Sequence, residues 1–431
     1  MITRALLALA LATPGTVEVS VDEVMSHLQA FQAIADAHGG NRAAGESGYD
    51  ASADYVAARL RAAGYEVELQ PFVFPFYREL SAAKLSGKKA FPKVSTLVFS
   101  GSGRASGRPR RAGDGCLPRS FAEFRAGQVA VVQRGACPFQ VKAVNARRAG
   151  ASALVIVNQG GPFGGSLETP QSIPVVGVSA AVGKQVAAQR RVRVVTRTAS
   201  EQRVTYNVIA QTKAGNANKV VMVGAHLDSV PDGPGINDNA SGSAAILELA
   251  EQVAKAKPDR AIRFAWWGAE EEGLLGSIHY VMQLDDAARK KIKAYLNLDM
   301  IGSPNPTFGI YDGDDSDKEG AGPGPKGSAR IERAFERWFT AKGLPYQGTD
   351  FSGRSDYGPF IQVGIPAGGL FTGADSDKTA AEAKVFGGEA GKPLDKCYHL
   401  PCDSLANVNR TALRTSAEAV AAVLAKLAWR S

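Results

Sequence analysis

The chain has 431 residues, 45% of them hydrophobic and 21% charged, with a formal net charge of +8. This is an ordinary globular composition, long enough for a large core and more than one domain. The charge does not call for nucleic acid: Lys and Arg are scattered, and the densest group, GRPRR at 107–111, is short and lies in a glycine-rich stretch, so no nucleic-acid partner is expected.

The chain opens on MITRALLALALATPG, with one early arginine, a short Ala/Leu run and Ala10-Leu11-Ala12, the layout of a secretory signal over residues 1–18. No apolar run of about eighteen residues follows, so no membrane span is expected. VDEVMSHLQAFQAIADA at 21–37 has helical spacing, GGNR breaks it, and a second helix runs through YDASADYVAARLRAAGY to about Gly64. EVELQPFVF alternates like a strand.

From about residue 74 the texture turns to glycine, proline and arginine, with short strand-like runs KVSTLVFSG, QVAVVQRG, ASALVIVNQ, IPVVGVS and RVRVVTRT and a helix-like VKAVNARRAGA. After TYNVIAQT an α/β texture returns: strand KVVMVGAHLD, helix SGSAAILELAEQVAKA, strand AIRFAWWGAE, helix, strand AYLNLDMIG. An insertion of about 130 residues in a larger α/β domain is the simplest organisation, giving segments 19–73, 74–202 and 203–431. Four cysteines fall into two local pairs, Cys116 with Cys137 and Cys397 with Cys402, which suit two disulfides in an oxidising compartment.

Groups able to hold a metal collect at the carboxyl ends of the expected strands, where open α/β sheets bind ligands. They are His226 and Asp228 in GAHLD, Asp238 in GINDNASG, Glu270 and Glu271 in WWGAEE, Asp299 in NLDMIG, and Tyr398 and His399 in CYHLPC. Each alone has a plainer reading, as a paired strand-end histidine, a turn aspartate or an exposed side chain. Together, two histidines and three carboxylates match the needs of two zinc ions sharing one carboxylate. A further acid is then required to move a proton. Of the remaining histidines, His27, His38 and His279 are expected on helical surfaces.

These segments, with GGNRAAGESGYDASADYV, GRSDYGPF, GGLFTG and CYHLPCDSLANV, resemble the co-catalytic zinc aminopeptidases that include bacterial leucyl aminopeptidases and vacuolar aminopeptidase Y. The resemblance implies a central mixed β-sheet flanked by helices, of the phosphorylase/hydrolase-like zinc exopeptidase type. It implies His226, Asp238 and Asp299 on one Zn²⁺ and Asp238, Glu271 and His399 on a second. Glu270 would be the general base and acid for a hydroxide bridging the metals, Asp228 would orient the His226 ring, and Tyr398 would donate to the oxyanion. Arg354 would contact substrate, and Met300 and Phe371 would line a pocket favouring leucine-like or aromatic N-terminal residues. The Asp238–Asn239 peptide would be cis. Tyr357 departs from relatives that carry histidine there, and Arg410 and Arg414 stand where some relatives have calcium ligands, so calcium is not expected.

The insertion resembles a protease-associated domain, small and α+β. A secreted, monomeric enzyme acting on peptides with free N-termini is expected. The alternatives are a carboxypeptidase of the glutamate-releasing type, whose members are longer and membrane-anchored, and a catalytically silent receptor. Glu272, third in the Glu270–Glu272 run, is expected in the first turn of a helix and facing solvent.

Overall fold

A computed structural model describes residues 17–429; the expected signal segment lies almost wholly outside the described residues. The chain divides into two compact units, Val73–Val204 and the residues on either side of it.

The larger unit is built on a mixed sheet. Asn216–His226 lies at its centre, parallel to Arg260–Trp267 on one side and to Ile292–Leu298 on the other. Ala367–Phe371 extends the sheet in parallel, Gly309–Tyr311 pairs with it antiparallel, and Gln347–Thr349 closes that edge. On the opposite side, residues 208–211 run antiparallel to Arg260–Trp267.

The strands are apolar on both faces because both are covered. Val221, Val223, Phe264, Trp266 and Leu296 point into a core shared with the helices Val21–Ala37, Ser47–Ala63, Ser241–Val253, Ser328–Lys342 and Arg410–Ala428. The alternate residues Met222, Ala265, Trp267 and Tyr295 pack on the other face with Tyr280 and Phe360. The Phe360 ring stacks on Tyr295 at 3.9 Å.

Local signals explain the helix ends. Ser20 caps Val21–Ala37 by accepting the Glu23 N–H, and Val24, Leu28, Phe31 and Ala35 form its buried stripe. Ser47–Ala63 stops at Gly64, whose φ of 99° suits glycine.

Two expectations are corrected. His27 is buried, not on a helix surface: its Nδ1 lies 2.7 Å from the Tyr55 hydroxyl. Glu272 lies in a turn and is half-buried, because the next helix begins only at Leu275, after Leu274 has taken a left-handed φ of 62°. Burial, with Asp228 nearby, pushes the Glu272 carboxyl up to about 7.

In Val73–Val204, four parallel strands, Pro109–Arg111, Val129–Gln133, Ala153–Val157 and Val175–Val178, form a sheet, and Ser95–Thr96 joins it antiparallel. The expected strand KVSTLVFSG is reduced to those two residues; Phe99, at φ 66°, turns the chain out of extended geometry. The helices Phe139–Arg148 and Ala180–Ala187 belong to this unit, and Cys116 and Cys137 are joined as a disulfide.

Burial of His27, opposed by Glu251 and reinforced by Arg59, lowers its pKa from 6.5 to about 4. Below pH 6.5 the unfolded chain therefore binds a proton that the folded chain refuses. The contribution is intact above pH 6.5 and lost as pH falls towards 4, about 3 kcal/mol in all. Replacing the ring in His27→Gln is expected to flatten the decline in unfolding free energy between pH 7 and 4.5 by about 2–3 kcal/mol, measured by denaturant titration against the parent protein.

Candidate metal centre

Five chain segments reach one point beyond the strand ends. His226 ends the central strand; its Nδ1 lies 3.1 Å from the Asp228 carbonyl oxygen, which makes Nδ1 the donor there and turns Nε2 towards the carboxylates of Asp238 and Asp299. The Asp228 carboxylate accepts the backbone N–H groups of Glu270 at 3.2 Å and Glu271 at 3.3 Å, so it also fixes the neighbouring corner.

Asp238 stands in the turn Ile236–Ala240, and its peptide bond to Asn239 is cis. One of its oxygens lies 3.2 Å from His226 Nε2 and the other 3.2 Å from His399 Nε2. Asp299 Oδ1 lies 3.4 Å from His226 Nε2, and Glu271 Oε2 lies 3.0 Å from His399 Nε2. Glu270 is buried beside them, with Oε2 3.9 Å from His226 Nε2. Three corner residues here, Ala269, Met300 and His399, have φ between 51° and 58°, a conformation non-glycine residues adopt at a cost.

The electrostatics suit a cation. Four carboxylates meet two imidazoles in a space where like charges about 4 Å apart cost ~4 kcal/mol at an effective dielectric of 20. Burial, Asp356, Asp299 and Glu271 push Glu270 well above the usual carboxyl range against the pull of His226. Burial and Asp238 raise Glu271 to about 7. His399 rises to about 10, because Asp238 and Glu271 outweigh the burial that opposes them. Among the described residues, Glu271 Oε1 is a buried atom without a hydrogen-bond partner, and Asp299 Oδ1 and His399 Nε2, though close to an imidazole or carboxylate, make no well-aligned hydrogen bond. Their lone pairs converge with those of Asp238, which is what a divalent ion accepts. Imidazole nitrogen and carboxylate oxygen are the ordinary donors to zinc.

His226, Asp238, Glu270, Glu271, Asp299, Met300, Arg354, Phe371 and Tyr398 all line one cleft of about 140 Å³. Tyr398 stacks on His399 at 3.8 Å, and the Cys397–Cys402 disulfide brackets both. Tyr357 lines the cleft with its hydroxyl accepting the Gly353 N–H at 2.9 Å. Asp228 lies behind the cleft wall.

Residues missed from the sequence support this arrangement. Asp403 accepts the N–H groups of Asn237 at 2.9 Å and Asp238 at 3.0 Å. Ser355 donates to Asp299 Oδ2 at 2.5 Å. Arg42, in the GGNR helix break, is fully buried. It donates to the carbonyls of Pro234 at 2.9 Å, Gly235 at 2.7 Å and Leu227, holding the loop between His226 and Asp238. Burial lowers its pKa to about 10, with Asp228 and Asp403 opposing. Only the asparagine-glycine context hinted at Arg42; nothing in its spacing marked it.

Residues 207–424 match the family model described as peptidase family M28, and residues 97–186 match the PA domain. An aminopeptidase of Pseudomonas aeruginosa is 45% identical, covering 94% of this chain and 80% of its own. A probable leucine aminopeptidase 2 of Arthroderma benhamiae is 41% identical over 95% of this chain and 85% of its own. The solved structure of a zinc aminopeptidase from Bacillus subtilis superposes with a TM-score of 0.64 at 25% identity, covering 96% of each chain. The chain belongs to peptidase family M28 and carries a PA domain as an insert.

Arg42→Lys keeps the charge but gathers its donors on one nitrogen, which cannot reach the three carbonyls that the separate guanidinium nitrogens reach. It is expected to cost roughly 3–5 kcal/mol in stability and to weaken retention of divalent metal at least tenfold. Thermal melting and metal content after dialysis against a graded chelator would check both.

Proposed function

We propose that the chain is a zinc aminopeptidase that removes hydrophobic N-terminal residues from peptides. The observation that carries this reading is the Asp238 carboxylate, which turns one oxygen towards each of two histidines. His226, Asp238 and Asp299 would hold one Zn²⁺, and Asp238, Glu271 and His399 a second. Bound there, zinc would supply Lewis acidity to a water and to the scissile carbonyl.

Glu270 is the one carboxylate of the cluster left without a holding role. It would take the proton from the attacking water and return it to the departing amine. The Asp228 carboxylate, bonded to the N–H groups of both glutamates, keeps these two roles apart by fixing the corner on which they stand. Tyr398, half-buried in the cleft, would donate its hydroxyl to the carbonyl oxygen as negative charge grows there. Arg354 would hold the peptide near the scissile bond.

Met300, Tyr311, Tyr357 and Phe371 provide an apolar wall for the first side chain. The name of the Arthroderma relative, a leucine aminopeptidase, favours the same side-chain class. Work outside the cytosol is supported by two disulfides, one of them beside the cleft. Among the described residues, no helix is long and apolar enough to cross a membrane.

Two measurements test the proposal. Purified protein is expected to contain two zinc ions per chain by mass spectrometry of the native state, and a single ion would remove Asp238 from the bridging role. Glu270→Gln is expected to keep both ions and lose at least a thousandfold in kcat on leucine p-nitroanilide, with KM little changed. Ordinary turnover in that variant would take the proton-transfer role from Glu270.

A further inference from the structure

We propose that the inserted unit Val73–Val204 docks the protein on an anionic phospholipid surface, through an arginine-bearing face of one of its strand pairs. The surface uses none of the residues of the metal centre and does not depend on how the cleft acts.

The two units differ in the sign of their charge. Residues 73–204 hold 21 lysines and arginines against 5 aspartates and glutamates, a net +16. The whole chain has 50 basic and 42 acidic residues, so the rest of it holds 29 against 37, a net −8. Along the sequence these arginines are scattered, but the fold gathers a set of them. Gly103–Gly107 pairs antiparallel with the start of the strand Val192–Gln211, placing Arg104 opposite Val195 and Ser106 opposite Arg193. Side chains opposite one another in such a pair share a face. One face therefore carries Arg104, Ser106, Arg193, Val195 and Arg197, all of them exposed except the half-buried Val195. The alternate residues Ala105, Val192 and Val194 are buried in the core of the insert, and that burial turns the arginines outward.

The set extends past the pair. Exposed and buried residues go on alternating from Arg104 to Arg110, which puts Arg108 on the same side. Arg191 is held over this face by Ser106, whose Oγ accepts its Nε–H at 2.9 Å. Arg110 is engaged, since Glu123 pairs with it. Among the described residues, Arg104, Arg108, Arg191, Arg193 and Arg197 make no ion pair.

Like charges that face one another across a strand pair destabilise it, and a layer of anions removes that cost. The guanidinium fork takes two phosphate oxygens at once. The arginines stand on an open sheet face, and Ser106 and Val195 between them offer no ring on which a base could stack. An array of phosphate headgroups suits this face better than a nucleic-acid strand. Several arginines within a Debye length of such a surface act together, which makes the attraction steep in charge and sensitive to salt.

The test is co-sedimentation of the full chain with vesicles of phosphatidylcholine, alone or with about 30% phosphatidylglycerol. Binding is expected on the charged vesicles only, and is expected to weaken at least tenfold as salt rises from about 20 to about 500 mM. The triple variant Arg104→Gln, Arg193→Gln, Arg197→Gln is expected to bind at least tenfold more weakly, with melting temperature and turnover of leucine p-nitroanilide unchanged. Arg193→Glu alone is expected to lose about fivefold, so the outcome does not hang on the triple variant. Arg330→Gln, Arg337→Gln, Arg414→Gln removes the same charge from exposed positions of the other unit and is expected to bind as the parent does. Equal binding to both kinds of vesicle, no binding at low salt, or equal losses in the two triple variants would overturn the proposal. Tighter capture of a duplex oligonucleotide than of vesicles, through the same three arginines, would overturn it in favour of nucleic acid.

Discussion

The Asp238 carboxylate cannot rest where it is without support. Its two oxygens face two imidazole nitrogens at 3.2 Å, while Glu270, Glu271 and Asp299 crowd the same space. Everything around it works against relaxation of that cluster. Asp403 takes the N–H groups of Asn237 and Asp238. Arg42 binds three carbonyls of the loop that leads in. Asn239 donates to the Leu298 carbonyl at 2.8 Å, tying the turn to the strand that carries Asp299. A buried array of like charges is stable only when opposite charge compensates it, and here the compensation has two sources, a buried guanidinium and the proposed ions.

The fold delivers these groups because parallel strands end together. His226, Glu270 and Asp299 each follow or finish one of three adjacent parallel strands, so carboxylates far apart in sequence arrive within 4 Å of the His226 Nε2. Two-sided burial of those strands gives the point a rigid base: Val223 and Trp266 anchor one face, Met222 and Trp267 the other. His399 comes from outside the sheet, on a segment with no regular structure. The Cys397–Cys402 bridge and the N–H of Cys397 donating to Asp395 at 2.8 Å take over the work that the sheet does for the other groups.

The two sides of the cleft come from different parts of the sheet. His226, Glu270 and Asp299 stand at the carboxyl ends of the central strands, whereas Tyr311, Thr349 and Phe371 belong to short strands towards the sheet edge. Edge strands and their loops can change without moving the central three.

The strand-helix alternation after residue 203, the separate texture of the insertion and the metal-binding residue types were legible because they depend on local pattern: apolar runs, glycine corners and polar residues at strand ends. The Glu270–Glu272 run was only partly legible, since the position of the helix start depends on Leu274 entering a left-handed conformation, and no spacing rule marks that. His27 was misplaced for a similar reason: its helix stripe is apolar, but burial of the ring is decided by Tyr55 on another helix. Arg42, Asp403 and Ser355 lay in segments the sequence marked, but their roles were not legible because their partners are backbone groups and carboxylates brought close only by folding. What the sequence determined by itself was which residues could ligate and where the chain would turn. Which oxygen faces which imidazole was decided by tertiary structure, because a carboxylate's role depends on the direction of its lone pairs and on the charges within a few ångströms of it.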